Sequence, residues 1–178
     1  AMLAAKIPLE QAEQLTSKGA ICIGCINSKQ SITFSGNKKE VEALHSLLKS
    51  RNIICKLLPT KTAYHSHHMT EVAPSYLHSL RLAWSLQSCS EPRTHASIQL
   101  RRQAIPMFSS TTSHRLTESE VGAEYWIKNM TSVVRFPDAL SKAIDFVRET
   151  AIEQDQGIAF VEIGPHSALK GPVRETFQ

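Results

Sequence analysis

Three histidines lie within four positions of one short stretch, and they are the residues of this chain best suited to chemistry. His65, His67 and His68 follow an apolar run, Ile53 to Leu58, and precede a pattern with helical spacing. A histidine between a strand and a helix suits general base catalysis, because the flanking elements fix its ring. A solvated polar loop and a metal site are the alternatives. The metal site is disfavoured, because the stretch itself contains no Asp, Glu or Cys and the adjacent pair would diverge on a regular element.

Three stretches in this order resemble motifs of the acyltransferase domains of polyketide and fatty acid synthases. Residues 62–69, Thr-Ala-Tyr-His-Ser-His-His-Met, resemble the histidine motif, and most closely that of fungal iterative type I polyketide synthases. Residues 125–130 are similar to the family's Tyr-Trp-x-x-Asn segment. Residues 162–169 are similar to its Glu-(Ile/Val)-Gly-Pro-His-x-x-Leu segment. The resemblance covers essentially the whole chain.

The resemblance implies a serine-ester mechanism in which a histidine activates the serine and later protonates the leaving thiolate. By motif, His65 is the base. The main-chain carbonyl of Asn129 orients its ring, although Asn129 also fits a plain helix C-terminal residue. Thr62, Ala63 and Tyr64 precede the base where family members choose their substrate. The bulky Tyr64 matches the malonyl type. His166 follows a predicted buried strand, where functional residues gather, but a structural role is favoured for it.

The resemblance also implies the substrates and partners. Malonyl-CoA is the donor, and the phosphopantetheine thiol of an acyl carrier protein is the acceptor. The other domains of a multidomain synthase are further partners. No bound cofactor and no metal are expected.

The family's nucleophile motif is missing from these residues. A strand-turn-helix elbow needs Gly-x-Ser-x-Gly, and none of the 178 residues forms that pattern. The resemblance therefore implies the C-terminal half of an acyltransferase domain. We expect the isolated chain to be inactive and to expose apolar surface where its sheet is incomplete.

The hydrophobic pattern of the first 60 residues predicts a β-α-β-β-α-β unit, which is the order of a ferredoxin-like fold. Pro8 starts the first predicted helix, and Asn37 with Glu40 forms a capping box for the second. That second helix is predicted to bury Val41, Leu44, Leu47 and Leu48. The predicted strands are Met2–Ile7, Ala20–Ile26, Ser31–Ser35 and Ile53–Leu58.

Residues 61–178 are predicted to form part of a larger α/β, hydrolase-like subdomain, so the fold class is α+β. A helix starts or kinks near Pro74 and places Trp84 in the core. A continuous apolar run, Ile158 to Ile163, predicts a strand buried on both faces. The other predicted elements are a strand at Ile105–Ser110, helices at Gly122–Met130 and Phe136–Ile152, and a last helix from Ala168 onward.

Charge and targeting signals exclude several classes of function. The net charge is +4 with basic residues spread along the chain, and neither a basic stripe nor a module indicates nucleic acid binding. A basic face would suit an acidic carrier protein or the phosphates of coenzyme A, or it is generic surface. The sequence shows no signal peptide and no membrane-spanning run, so a cytoplasmic protein is expected.

The four cysteines suggest alternatives. Cys22 and Cys25 form a C-x-x-C, but they lie in a strand-like run without a second ligand pair, so a structural role is favoured. Two rival functions remain open at this point. One is a non-catalytic remnant or interaction module of the same fold, and the other is a cysteine-dependent thioester hydrolase that uses His65.

Overall fold

A computed structural model describes residues 1–16, 19–88, 105–150 and 157–177. Its N-terminal part is the predicted β-α-β-β-α-β unit. Four antiparallel strands are arranged in the order β4-β1-β3-β2, as in a ferredoxin-like fold. The elements are β1 (Met2–Ala5), α1 (Leu9–Gln14), β2 (Ile21–Ser28), β3 (Ser31–Gly36), α2 (Lys38–Ser50) and β4 (Cys55–Leu57).

The core of this unit forms because alternate strand residues and one helical stripe are apolar. Phe34 and Leu3 are completely buried in the sheet, and Val41 and Leu48 cover them from α2. Leu47 was predicted to share that stripe, but 38% of it is exposed. The stripe at 3.6-residue spacing is therefore narrower than the sequence indicated.

The predicted capping box at the start of α2 is wrong. Asn37 occupies the N-cap position, but its side chain makes no capping hydrogen bond. Its carboxamide oxygen is bound to two histidines instead. This contact joins distant parts of the chain, so a local pattern does not show it.

The second half adds helices and one short strand to the sheet. β5 pairs in parallel with β2, through Cys25 with Val134 and Ile26 with Arg135. Helix α3 begins at His67 and contains Pro74 in its interior, so it does not start at Pro74, and the kink that the sequence also allowed there stays a prediction. The elements are α3 (His67–Ser88), a 3-10 helix (Glu118–Glu120), α4 (Ala123–Thr131), β5 (Val134–Arg135), α5 (Phe136–Thr150) and α6 (Lys170–Phe177).

Three predictions for the second half are wrong. Only Phe108 in the predicted strand at 105–110 forms a bridge, to Arg115. Residues 158–163 form no strand, and Ile163 is 98% exposed. Trp84 is 39% exposed rather than in the core. A strand needs a neighbouring strand to satisfy its N–H and C=O groups. Residues 158–163 have no such partner among the residues that the structure describes.

None of the helices in the described part of the chain has the length and apolar character needed to cross a membrane.

Candidate active site

His65 lies in a short turn between β4 and α3, with a left-handed backbone conformation at φ 61°. Such a conformation is uncommon for a residue other than glycine and persists only where the surroundings impose it. Ser66 helps to impose it. Its buried hydroxyl donates to the Ala63 carbonyl at 2.6 Å and accepts from the His68 N–H at 3.3 Å. The serine thereby links the turn to the first turn of α3.

The main chain of His65 is held from two sides. Its N–H donates to the carbonyl of Met130, at the end of α4, at 3.2 Å. Its own carbonyl accepts from the Cys22 thiol on β2 at 3.5 Å. The turn is therefore fixed by the ferredoxin-like sheet and by α4 together.

The His65 ring has a defined tautomer. Its Nδ1 lies 2.9 Å from the carbonyl oxygen of Ser132, the residue that follows α4. A carbonyl can only accept, so Nδ1 carries the proton and Nε2 presents a lone pair. This is the state in which an imidazole can take a proton from a nucleophile.

Burial lowers the pKa of His65, and this effect exceeds the raising effect of hydrogen bonds to the carbonyls of Ser132 and Asn129. Desolvation disfavours the charged imidazolium, so the neutral base is the favoured form near pH 7. The two carbonyls favour the charged imidazolium, because each accepts a hydrogen bond from it.

The main-chain carbonyl of Asn129, which the motif indicated as the orienting group, is one of two carbonyls that act to raise the pKa of His65, and its orienting role stays a prediction. The 2.9 Å contact, however, comes from Ser132, which the motif did not indicate. The Asn129 side chain points elsewhere and donates to the Thr111 hydroxyl at 3.1 Å. The end of α4 could have indicated the Ser132 carbonyl, because the last carbonyls of a helix have no partner within that helix.

The three residues ahead of His65 lie in different environments. Ala63 is buried, Thr62 is half-buried, and Tyr64 is exposed. Thr62 and Ala63 line an open pocket of about 370 Å³, which Asn37 and His68 also line. Their assignment as substrate-binding residues remains a prediction.

The sequence left a metal site at His65, His67 and His68 open as an alternative. Among the described residues, no group of three His, Cys, Asp or Glu side chains is placed to hold a metal ion. The rings of His67 and His68 instead contact Asn37. His166 is exposed, and its carbonyl accepts from the Ala168 N–H at 2.9 Å.

Cys22 and Cys25 are poorly suited to nucleophilic attack. Burial raises the pKa of Cys22, and burial together with the nearby Cys22 raises that of Cys25 to about 11. A thiol, not a thiolate, is then present at neutral pH. Cys22 contacts the carbonyl of His65, and Cys55 contacts that of His45 at 3.9 Å. Cys89 lies outside the described residues.

A neutral imidazole whose Nδ1 is held by a carbonyl is chemically able to act as the base toward a nucleophile. In this chain the histidine follows a ferredoxin-like unit. These two features together characterise the site. The comparisons agree, because the family described as "Acyl transferase domain" matches residues 1–178. The chain belongs to this acyl transferase domain family, which confirms the resemblance of its three motifs.

The similar proteins are much longer than this chain. Reducing polyketide synthase FUB1 of Gibberella fujikuroi is 35% identical over 161 residues, covering 88% of this chain and 6% of the synthase. The hybrid PKS-NRPS synthetase pynA of Aspergillus niger is 39% identical over 161 residues, covering 90% and 4%. The chain thus spans only a small part of these relatives.

Two solved structures share the fold. A loading acyltransferase from the avermectin modular polyketide synthase has a TM-score of 0.76 at 22% identity, covering 99% of this chain and 50% of its own. Malonyl CoA-acyl carrier protein transacylase from Burkholderia pseudomallei has a TM-score of 0.76 at 20% identity, covering 99% and 56%. These likenesses confirm the α+β fold class.

Proposed function

We propose that this chain supplies the base-bearing part of a malonyl-type acyltransferase domain in a fungal iterative polyketide synthase. The domain would transfer malonyl units from malonyl-CoA to an acyl carrier protein. The observation that carries the proposal is the His65 ring, whose Nδ1 lies 2.9 Å from the Ser132 carbonyl oxygen, so that Nε2 is the nitrogen with the lone pair for a proton.

In the proposed cycle, Nε2 of His65 removes the proton of a serine hydroxyl as its oxygen attacks the thioester carbonyl. The oxygen–carbon bond forms, the carbon–sulfur bond breaks, and His65 returns the proton to the coenzyme A thiolate. The thiol of the carrier's phosphopantetheine then attacks the serine ester, with His65 again taking and returning a proton. The left-handed turn keeps the ring in one place through both half-reactions.

The serine would come from another part of the domain. The neighbouring Ser66 is a poor candidate, because its hydroxyl is buried and donates to the Ala63 carbonyl at 2.6 Å. We therefore infer that the 178 residues alone do not complete a transfer cycle.

The exposed apolar surface of the second half supports the same inference. A pocket of about 540 Å³ lies open between α5, α6 and residues 160–169. Phe160 and Val161 line it, and they are 46% and 85% exposed. Apolar surface of this kind is usually covered by another element, and the remainder of the large subdomain would cover it here.

Malonyl-CoA as donor rests on the motif around Tyr64 and on the printed name of the Burkholderia relative. The carrier protein as partner rests on the same printed name, and the multidomain setting rests on the small share of the fungal synthases that this chain covers. A cytosolic location is consistent with the free thiols of Cys22, Cys25 and Cys55. We propose no bound cofactor.

The test uses the complete acyltransferase domain of the parent synthase with radiolabelled malonyl-CoA. His65→Ala should slow formation of the labelled acyl-enzyme by about 10²–10⁴-fold, which is the usual contribution of a general base. His114→Ala, which removes an exposed histidine on another loop, is the matched control. A loss below about threefold at His65 would remove it from the role.

A further inference from the structure

Asn37 makes a contact that neither the sequence motifs nor the proposed cycle requires. Its Oδ1 accepts from Nε2 of His67 at 3.1 Å and from Nε2 of His68 at 2.8 Å. The two rings lie 4.2 Å apart between centroids and are tilted by 34°. A carboxamide oxygen has two lone pairs, so these two donors use its full accepting capacity.

The Asn37 backbone belongs to the ferredoxin-like unit. Its N–H donates to the Ala20 carbonyl at 2.9 Å, and its carbonyl accepts from the Val41 N–H at 3.0 Å. The first bond fixes it to the start of β2, and the second fixes it to the first turn of α2. The Asn37 side chain therefore projects from a backbone that is hydrogen-bonded to both the start of β2 and the first turn of α2.

His67 and His68 lie directly beside the turn that carries His65. They open α3 directly after His65 and Ser66. The backbone N–H of His68 also donates to the Ser66 hydroxyl, which in turn holds the Ala63 carbonyl. A short series of hydrogen bonds thus runs from Asn37 through the start of α3 to the turn at His65.

We propose that Asn37 is a positioning residue, which fixes the start of α3 against the ferredoxin-like unit and thereby holds His65 in its left-handed turn. The inference rests on the proposed function, because it concerns the placement of the proposed base. The Asn37 carboxamide is bound to His67 and His68 rather than to the His65 ring, so it acts through those two residues.

Substituting Asn37 tests its contact with the two histidines specifically. Its side chain makes no capping hydrogen bond to α2, so Asn37→Ala removes the histidine contact without removing a helix cap. Asn37→Asp keeps an acceptor oxygen at this position in a side chain of nearly the same shape. Asn27→Ala is the matched control, because it removes another asparagine hydrogen bond, the one from Nδ2 to the Thr33 hydroxyl at 3.0 Å, from the same sheet.

The experiment measures labelled acyl-enzyme formation by the complete acyltransferase domain. Asn37→Ala should lower the rate constant for acylation by about 10–100-fold, as expected for a misplaced catalytic group, with KM for malonyl-CoA changed less than about twofold. Asn37→Asp should recover most of that loss, and Asn27→Ala should show little loss. An Asn37→Ala rate equal to that of Asn27→Ala would overturn the proposal.

A double substitution separates positioning from a general structural effect. If Asn37 acts through His65, adding Asn37→Ala to His65→Ala should lower the residual rate no further. An additive loss would overturn the proposal. A normal rate in His65→Ala alone would instead contradict the proposed function, so the two failures are distinguishable.

A spectroscopic measurement covers the case in which Asn37→Ala does not fold. Nitrogen-15 NMR of the wild-type domain should show Nε2–H tautomers at both His67 and His68, since both donate to Asn37. Asn37→Asp should preserve them. Nδ1–H tautomers at these two histidines in the wild-type domain would contradict the geometry on which the proposal depends.

Discussion

The ferredoxin-like unit and residues 157–177 have similarly apolar sequences but very different structures. In the unit, Phe34, Leu3 and Ile32 are completely buried by α1, α2 and neighbouring strands. In the C-terminal segment, residues 161–170 are all exposed, and none of residues 161–169 belongs to a helix or strand. The difference teaches that an apolar pattern produces a regular element only where a complementary surface is present to bury it.

The largest expected effect compares two apolar side chains, one from each region. Phe34→Ala should lower the free energy of unfolding of the chain by about 3–5 kcal/mol, because it leaves a cavity in a closed core. Ile163→Ala should change it by less than about 0.5 kcal/mol, since the side chain is already in solvent. Urea unfolding monitored by circular dichroism measures both.

The same two substitutions can also be compared in the complete acyltransferase domain. If the rest of the large subdomain covers Ile163, Ile163→Ala should cost about 2–5 kcal/mol there. Equal, small losses in the chain and in the domain would show that this segment remains uncovered.

A second comparison uses two glycines. A Cβ at Gly36 would lie 2.1 Å from the Ala20 carbonyl oxygen, where β2 and β3 approach closely. Gly36→Ala should therefore cost about 1–3 kcal/mol or more through backbone strain. At Gly164 the nearest atom would be 3.8 Å away, so Gly164→Ala should leave stability unchanged. Similar losses at both glycines in urea unfolding would contradict this contrast.

The sequence predicted the elements of the ferredoxin-like unit correctly, but it did not predict residues 158–163 correctly. The order of the first six elements followed from period and turn chemistry, because each element buries its apolar face within 60 consecutive residues. The strand predicted at 158–163 failed, because no partner strand lies among the described residues to pair with it. Local pattern was sufficient only where packing was local.

The candidate site shows the same limit. The motif identified His65, and the structure gives it an unusual backbone and a fixed tautomer. The Ser132 carbonyl and the Asn37 contact were missed, because each depends on residues about 30 or more positions away in the sequence. Such contacts follow from tertiary structure rather than from spacing.

The next prediction concerns the junction between the regions, where His65 lies. Burial lowers its folded-state pKa below the ordinary value of 6.5, so the unfolded chain binds the proton more tightly. Stability should be highest above about pH 6.5 and should fall as the pH decreases toward the lower folded pKa. His65→Gln should flatten this part of the pH dependence of urea unfolding. An unchanged slope would show that His65 does not contribute it.

The smallest expected effect compares exposed ion pairs in the two halves. Arg81 on α3 contacts Glu124 on α4 through Nε at 3.0 Å and Nη2 at 2.6 Å, which lowers the pKa of that carboxyl. Lys38 and Glu42 form a looser pair, at 3.8 Å, within α2. Exposed pairs contribute little and are screened by salt.

Arg81→Ala should therefore lower the midpoint of thermal unfolding only slightly at low salt, and Lys38→Ala should lower it even less. Both differences should disappear in about 1 M salt, where the screening length is roughly 3 Å. The measurement is thermal unfolding of each variant at low and high salt. A large, salt-dependent loss of helical signal in Arg81→Ala would mean that surface charge, rather than the buried Met69, Tyr125 and Ile144, holds the second half together.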